Sequence, residues 1–235
     1  MSAKKNKKVS EPTWAGIILI GICMAVLGAL GAFAFLVSFP AKTFSSLNDR
    51  RAYEESTDLS QPKPGDAFLY VGGEDRGTGW QAKRESFLAA SGVVEITAAE
   101  LNAWMRSVFR PQPAPKGDDA PKVLIIPGVP NFFVANGETL YLSLPTELSF
   151  FGVNRKYTMF AKGHLASGPD AEFVVDACYL NSARIPEQAG LAKRVIGNLM
   201  QAFSGSEEYA EIREAWAQVE SVELVDNGMR LRFAD

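Results

Sequence analysis

Two cysteines and a single histidine in 235 residues leave little of the usual material for stapling, metal binding or proton transfer. Cys23 lies inside a long apolar run and Cys178 far downstream, so a disulfide scaffold is excluded, and Cys178 reads as a buried small hydrophobe. His164 has no cysteine or acidic residue at metal-ligand spacing, and a Ser-His-Asp triad would have to recruit it alone. It reads as an outward-facing strand residue that hydrogen-bonds a neighbour. Glycine-rich phosphate loops are missing too, since Gly72-Gly73 and Gly77 with Gly79 precede no strand-to-helix unit. Basic clusters are absent beyond the first 13 residues, where 20 Lys and Arg face 26 Asp and Glu, which argues against nucleic acid. No catalytic set, cofactor or metal is expected, and an enzyme is not the expected class.

What the chain does have is concentrated. Residues 14–37 contain 20 apolar side chains and no charge. As a helix rising about 1.5 Å per residue, this run reaches roughly 36 Å, enough for a hydrocarbon core near 30 Å. A cleaved signal peptide is the rival, because Lys4, Lys5, Lys7 and Lys8 form a basic leader, but signal h-regions hold only about 7 to 15 apolar residues. A lipoprotein signal at Cys23 fits less well, since bulky Ile22 precedes it. The four lysines place the tail of residues 1–13 in the cytoplasm and the rest of the chain outside. Gly21, Ala25, Ala29 and Ala32 form a small-residue stripe, read as ordinary membrane-helix composition in a plain anchor.

Residues 38–66 turn abruptly polar and close on Pro-Lys-Pro-Gly, the composition of a stalk, with room for a short helix near residues 48–55. Residues 67–235 hold 80 apolar residues, a normal complement for one domain with its own core. Thr97 with Glu100 makes a capping box opening a helix through Phe109, with Leu101, Trp104, Met105 and Val108 on one face. Four prolines between Arg110 and Pro121 rule out a regular element there. Strands are expected over 122–129, 131–135 and 139–144, with Asn136-Gly137 as a hairpin turn. A longer pair is expected over 156–166 and 172–185. Tyr157, Met159, Ala161, Gly163 and Leu165 share one face of the first, and Phe173, Val175, Ala177, Tyr179 and Ala183 one face of the second. Depending on register, Lys162 or His164 lies opposite Asp176. Helices over 187–203, presenting Leu191, Val195 and Leu199, and over 207–219 precede a last hairpin about Asn227-Gly228. Runs of strands, then helices, then strands predict an α+β domain whose curved antiparallel sheet packs against C-terminal helices.

Phe132-Phe133 and Phe150-Phe151 are consecutive pairs, so in a strand one member of each points away from the core. An outward phenylalanine needs cover from another element, a membrane or an apolar ligand. The order of basic tail, anchor, stalk, Ile96-Thr97 with Glu100-Leu101-Asn102 opening a helix, long hairpins, Ile185-Pro186 and a final hairpin resembles small bacterial single-pass membrane proteins of unknown function. Their extracytoplasmic domains are similar in architecture to halves of the tubular lipid-binding superfamily, and the likeness covers about Val93 to Phe233. The resemblance implies a bent sheet wrapped around a long helix with an apolar groove between them. It also implies an inner-membrane location with the N-terminus in the cytoplasm. On that basis Phe132, Phe133, Phe150, Phe151, Leu191, Val195 and Leu199 are the candidate ligand or contact surface. The expected partners are the bilayer and a lipid or membrane-protein partner, and the expected role is non-enzymatic binding of a lipid or other apolar ligand. An envelope scaffold making protein contacts is the alternative.

Overall fold

The computed structural model describes residues 13–40, 42–44, 47–58, 69–71, 79–109, 123–150, 153–166, 173–186 and 208–234. The basic tail up to residue 12, the proline-rich stretch 110–121, Phe151 and the helix expected over 187–203 lie outside these residues.

The chain is α+β, with one long apolar N-terminal helix followed by antiparallel sheets. Helix α1, Trp14–Ser38, starts at Thr13, whose Oγ1 accepts from the Gly16 N–H at 3.3 Å. None of its residues is buried, and it is apolar on every side. By length and composition it is long and apolar enough to cross a bilayer.

The polar stretch that follows carries a strand and a helix, and the strand pairs with the first described strand of the segment beyond it. Strand β1, Lys42–Phe44, and strand β2, Leu69–Val71, pair in parallel, and helix α2, Leu47–Ser56, lies between them in sequence.

A small three-stranded sheet gathers segments that are distant in sequence: β3, Val93–Thr97, then β10, Val219–Val225, and β11, Gly228–Phe233, in the order β10-β11-β3. Three helices cover it: α3, Gly79–Leu88, α4, Ala98–Val108, and α5, Tyr209–Trp216. The capping box forms as expected, with Thr97 Oγ1 accepting from Glu100 N and Glu100 accepting from Thr97 N. On the outer face, Arg230 donates to Glu95 at 2.6 Å and to Glu223 at 3.1 Å, one carboxylate on each flanking strand. Val94, Ile96, Leu231 and Phe233 point the other way into a core with Phe87 and Trp104. Expected about Asn227-Gly228, the turn sits one residue earlier: Val225 pairs with Gly228, and Asn227 takes φ 65°. Gly228 serves a different need, because a Cβ there would lie 2.4 Å from the Ile96 carbonyl oxygen.

The larger sheet has six antiparallel strands: β4, Val123–Pro127; β5, Asn131–Ala135; β6, Thr139–Phe150; β7, Val153–Leu165; β8, Phe173–Leu180; and β9, Ala183–Ile185. Its order is β4-β6-β7-β8-β9, with β5 and β4 taking successive stretches of the same β6 edge. Where they hand over, Gly128 N donates to the Pro145 carbonyl, so proline sits at the break between two partner strands. Asn136 and Gly137 both take positive φ, at 55° and 65°.

Two expectations about the long hairpin are corrected. The segment 172–185 is not one strand but β8 and β9 folded about Asn181-Ser182, with Asn181 at φ 49°. The inward face also changes phase. A bulge between Lys162 and Gly163 leaves Asp176 unmatched, so Phe173 and Val175 face the core and then Cys178 and Leu180 do, instead of Ala177 and Tyr179. The same bulge leaves exposed His164 3.1 Å from Asp176, on the outer face.

Candidate apolar ligand cavity

The inner faces of the two sheets do not meet everywhere. Ladders Leu142–Ala161–Cys178–Ile185 and Leu144–Met159–Leu180 fill one end of the larger sheet. Beyond them lies a cavity of about 510 Å³, within the roughly 300–1,000 Å³ usual for small-molecule sites. Its wall on this sheet is Phe132, Leu140, Leu165 and Phe173. Val94, Ile96, Met229 and Leu231 supply the facing wall, while Leu101, Trp104 and Met105 of α4 and Ile212 and Trp216 of α5 line its sides. Phe109, buried just past the end of α4, belongs both to the filled end and to the cavity wall, so it separates the two.

One buried amide positions this wall. Asn102, 1% exposed on α4, donates from Nδ2 to the Phe132 carbonyl at 2.9 Å and accepts from the Phe132 N–H at 2.6 Å. Among the described residues β5 pairs with β6 alone, so the backbone on its other edge needs partners, and at Phe132 the carboxamide supplies donor and acceptor together. The bond pair locks α4 to β5 and holds Phe132 in the wall. Among the described residues the buried Trp104 indole N–H has no acceptor, and its ring meets Phe87 edge-on at 5.6 Å.

A second buried asparagine works toward the other edge of the sheet, at the β8–β9 turn. Asn181 donates from Nδ2 to the Val37 carbonyl at 2.7 Å and accepts from Thr158 N at 2.8 Å. Ser182 donates to the Phe39 carbonyl from its N–H at 3.1 Å and from its hydroxyl at 3.0 Å. These bonds satisfy carbonyls that the end of α1 leaves open, and they seat the helix end directly on the β8–β9 turn.

The structure separates the candidate residues. Phe132 lines the cavity, while Phe133, its neighbour, is buried on the opposite face against Phe44 of β1 and Tyr141. The cover that an outward phenylalanine requires therefore comes from the segment expected as a stalk. Phe150 closes β6 opposite Val153, and its side chain, like Phe151, Leu191, Val195 and Leu199, lies outside the described residues. The sequence places Leu101, Trp104 and Met105 on one face of a helix. Periodicity marks an inward face, and nothing in it says whether the space beyond is filled.

No protein-family model matches the chain, no curated protein matches it, and no solved structure matches it. The functional reading accordingly rests on the geometry of the cavity and of the anchor.

Proposed function

We propose that the chain is a single-pass, membrane-anchored binding module that takes a lipid or another apolar ligand into the cavity between its two sheets. The observation that carries this reading is the cavity itself, about 510 Å³ lined almost wholly by aliphatic and aromatic side chains. A void of this size with apolar walls gains little from water, because each water needs polar partners that these walls do not offer. An apolar ligand supplies the missing dispersion contacts.

The location belongs to the same proposal: an inner-membrane protein with residues 1–13 in the cytoplasm and the domain outside, supported by the four lysines ahead of α1. The Asn181 and Ser182 bonds to Val37 and Phe39 support retention of α1, since a released helix would strip these partners from the β8–β9 turn. Protease added to intact spheroplasts should remove the domain, and full protection would reverse the orientation.

The ligand test is native mass spectrometry of the full chain released from mild detergent. A co-purifying lipid is expected, and Met105→Trp, which fills the cavity from α4, should abolish it. A ligand-free chain arriving with a stoichiometric protein would support an envelope scaffold instead.

A further inference from the structure

The cavity wall is uniform except along one helix. Tyr209 and Arg213 stand one turn apart on α5, and among the described residues Arg213 is the only charged one lining the cavity. Arg213 is exposed, so its guanidinium marks the rim. Two acids close to it in sequence are engaged by another partner: Arg84 of α3 holds Glu208 at 3.0 Å and Glu211 at 3.6 Å. Among the described residues, Arg213 itself has no ion pair.

We propose that the occupant is a single-chain amphiphile with an anionic head, its alkyl chain in the cavity and its head on Arg213. This deepens the lipid-binding reading and rests on it. An anion inside the apolar walls would be stranded without a hydrogen-bond or charge partner, a penalty that its binding must avoid. Placing the head at the rim avoids that cost and gives the guanidinium the forked acceptor that carboxylate or phosphate oxygens offer. The size agrees. About 510 Å³ falls within the usual range for a small-molecule site and gives room for one long alkyl chain.

The test equilibrates radiolabelled hexadecanoate and hexadecan-1-ol with the full chain in phosphatidylcholine nanodiscs, subtracting empty nanodiscs. Hexadecanoate should bind roughly fivefold more tightly, the scale of a solvent-touched charge pair. Arg213→Gln should erase that preference by weakening only the acid, and Arg213→Lys should restore part of it. Arg232→Gln, removing an exposed charge on β11, should leave the preference intact. Equal binding of the two probes to the unaltered chain, or a preference that survives Arg213→Gln, overturns the head-group assignment and leaves the cavity reading standing. Binding of neither probe above empty nanodiscs overturns both.

Discussion

The two ends of the large sheet's inner face are built from the same strands to opposite purposes. At the end beside α1, Leu144, Met159, Leu180, Cys178 and Ile185 close into a dense core, and Asn181 ties that end to the anchor. From Thr158 at the clamp to Leu165 at the cavity is seven residues of β7, roughly 23 Å at the usual strand rise. There the same face lines the cavity, and between the two a different asparagine, Asn102, braces Phe132, which pairs with Leu142. Hydrogen bonds to Val37 and Phe39 fasten this part of the sheet to α1, and the cavity lies along the strands from that joint.

The sharpest way to break this comparison uses two leucines four residues apart on β6, both buried and both on the inner face. Leu144→Ala, at 3% exposure in the filled end, should cost about 4 kcal/mol, since it removes contacts and opens a new hole in a packed core. Leu140→Ala, at 6% exposure in the cavity wall, should cost about 2 to 3 kcal/mol, because the void it enlarges already exists. Urea unfolding of the full chain in dodecylmaltoside, followed by tryptophan fluorescence, measures both. Equal losses would mean that the far end is as tightly packed as the near one.

Much of this frame is legible in the sequence because it depends on neighbours a few residues apart. The Thr97–Glu100 capping box, the positive φ angles of Asn136-Gly137 and the alternation of Met159, Ala161 and Gly163 are local, and all appear as read. The inward phase of β8 was not legible. One extra residue at Asp176 exchanges Ala177 and Tyr179 for Cys178 and Leu180, and alternation offers no mark of where a bulge falls. Gly163 is the nearest signal, since a Cβ there would lie 2.0 Å from the Val174 carbonyl oxygen. The phenylalanine pair 132–133 told that the two rings part to opposite faces, but only tertiary packing decides which ring meets Phe44 and which meets the cavity. A cavity is a shortfall of volume summed over strands and helices far apart in the chain, so no single stripe records it.

The two asparagines sharpen the contrast at a smaller scale. Asn102→Ala leaves both the N–H and the carbonyl of Phe132 without their partner in a buried setting, which should cost about 3 kcal/mol and loosen the cavity wall. Asn181→Ala strands Thr158 N and one carbonyl of α1 and places alanine at a positive φ, for about 2 kcal/mol. Only the second should accelerate amide exchange across residues 36–40, where helix meets domain. Similar exchange in both variants would show that Asn181 does not fasten the anchor.

The finest probe of the filled end is its thiol. Cys178 is 6% exposed, and burial pushes its pKa from 9.0 up to about 11, against a smaller lowering from the Tyr179 backbone hydrogen bond. Its folded value lies above its unfolded one, so the unfolded chain loses this proton first as pH rises. The contribution to stability is therefore whole below about pH 9 and falls as pH climbs toward 11, by about 1.4 kcal/mol per unit within that window. Tyrosines and lysines titrate over the same range, so the informative quantity is the difference in slope between the unaltered chain and Cys178→Ala, both carrying Cys23→Ser. Unfolding free energies at pH 8.5, 9.5 and 10.5 should show the shallower slope in Cys178→Ala. Identical slopes would mean that water reaches Cys178 in the folded chain, and the distinction between a filled and an open end of the sheet would then fail at the place where it is drawn most sharply.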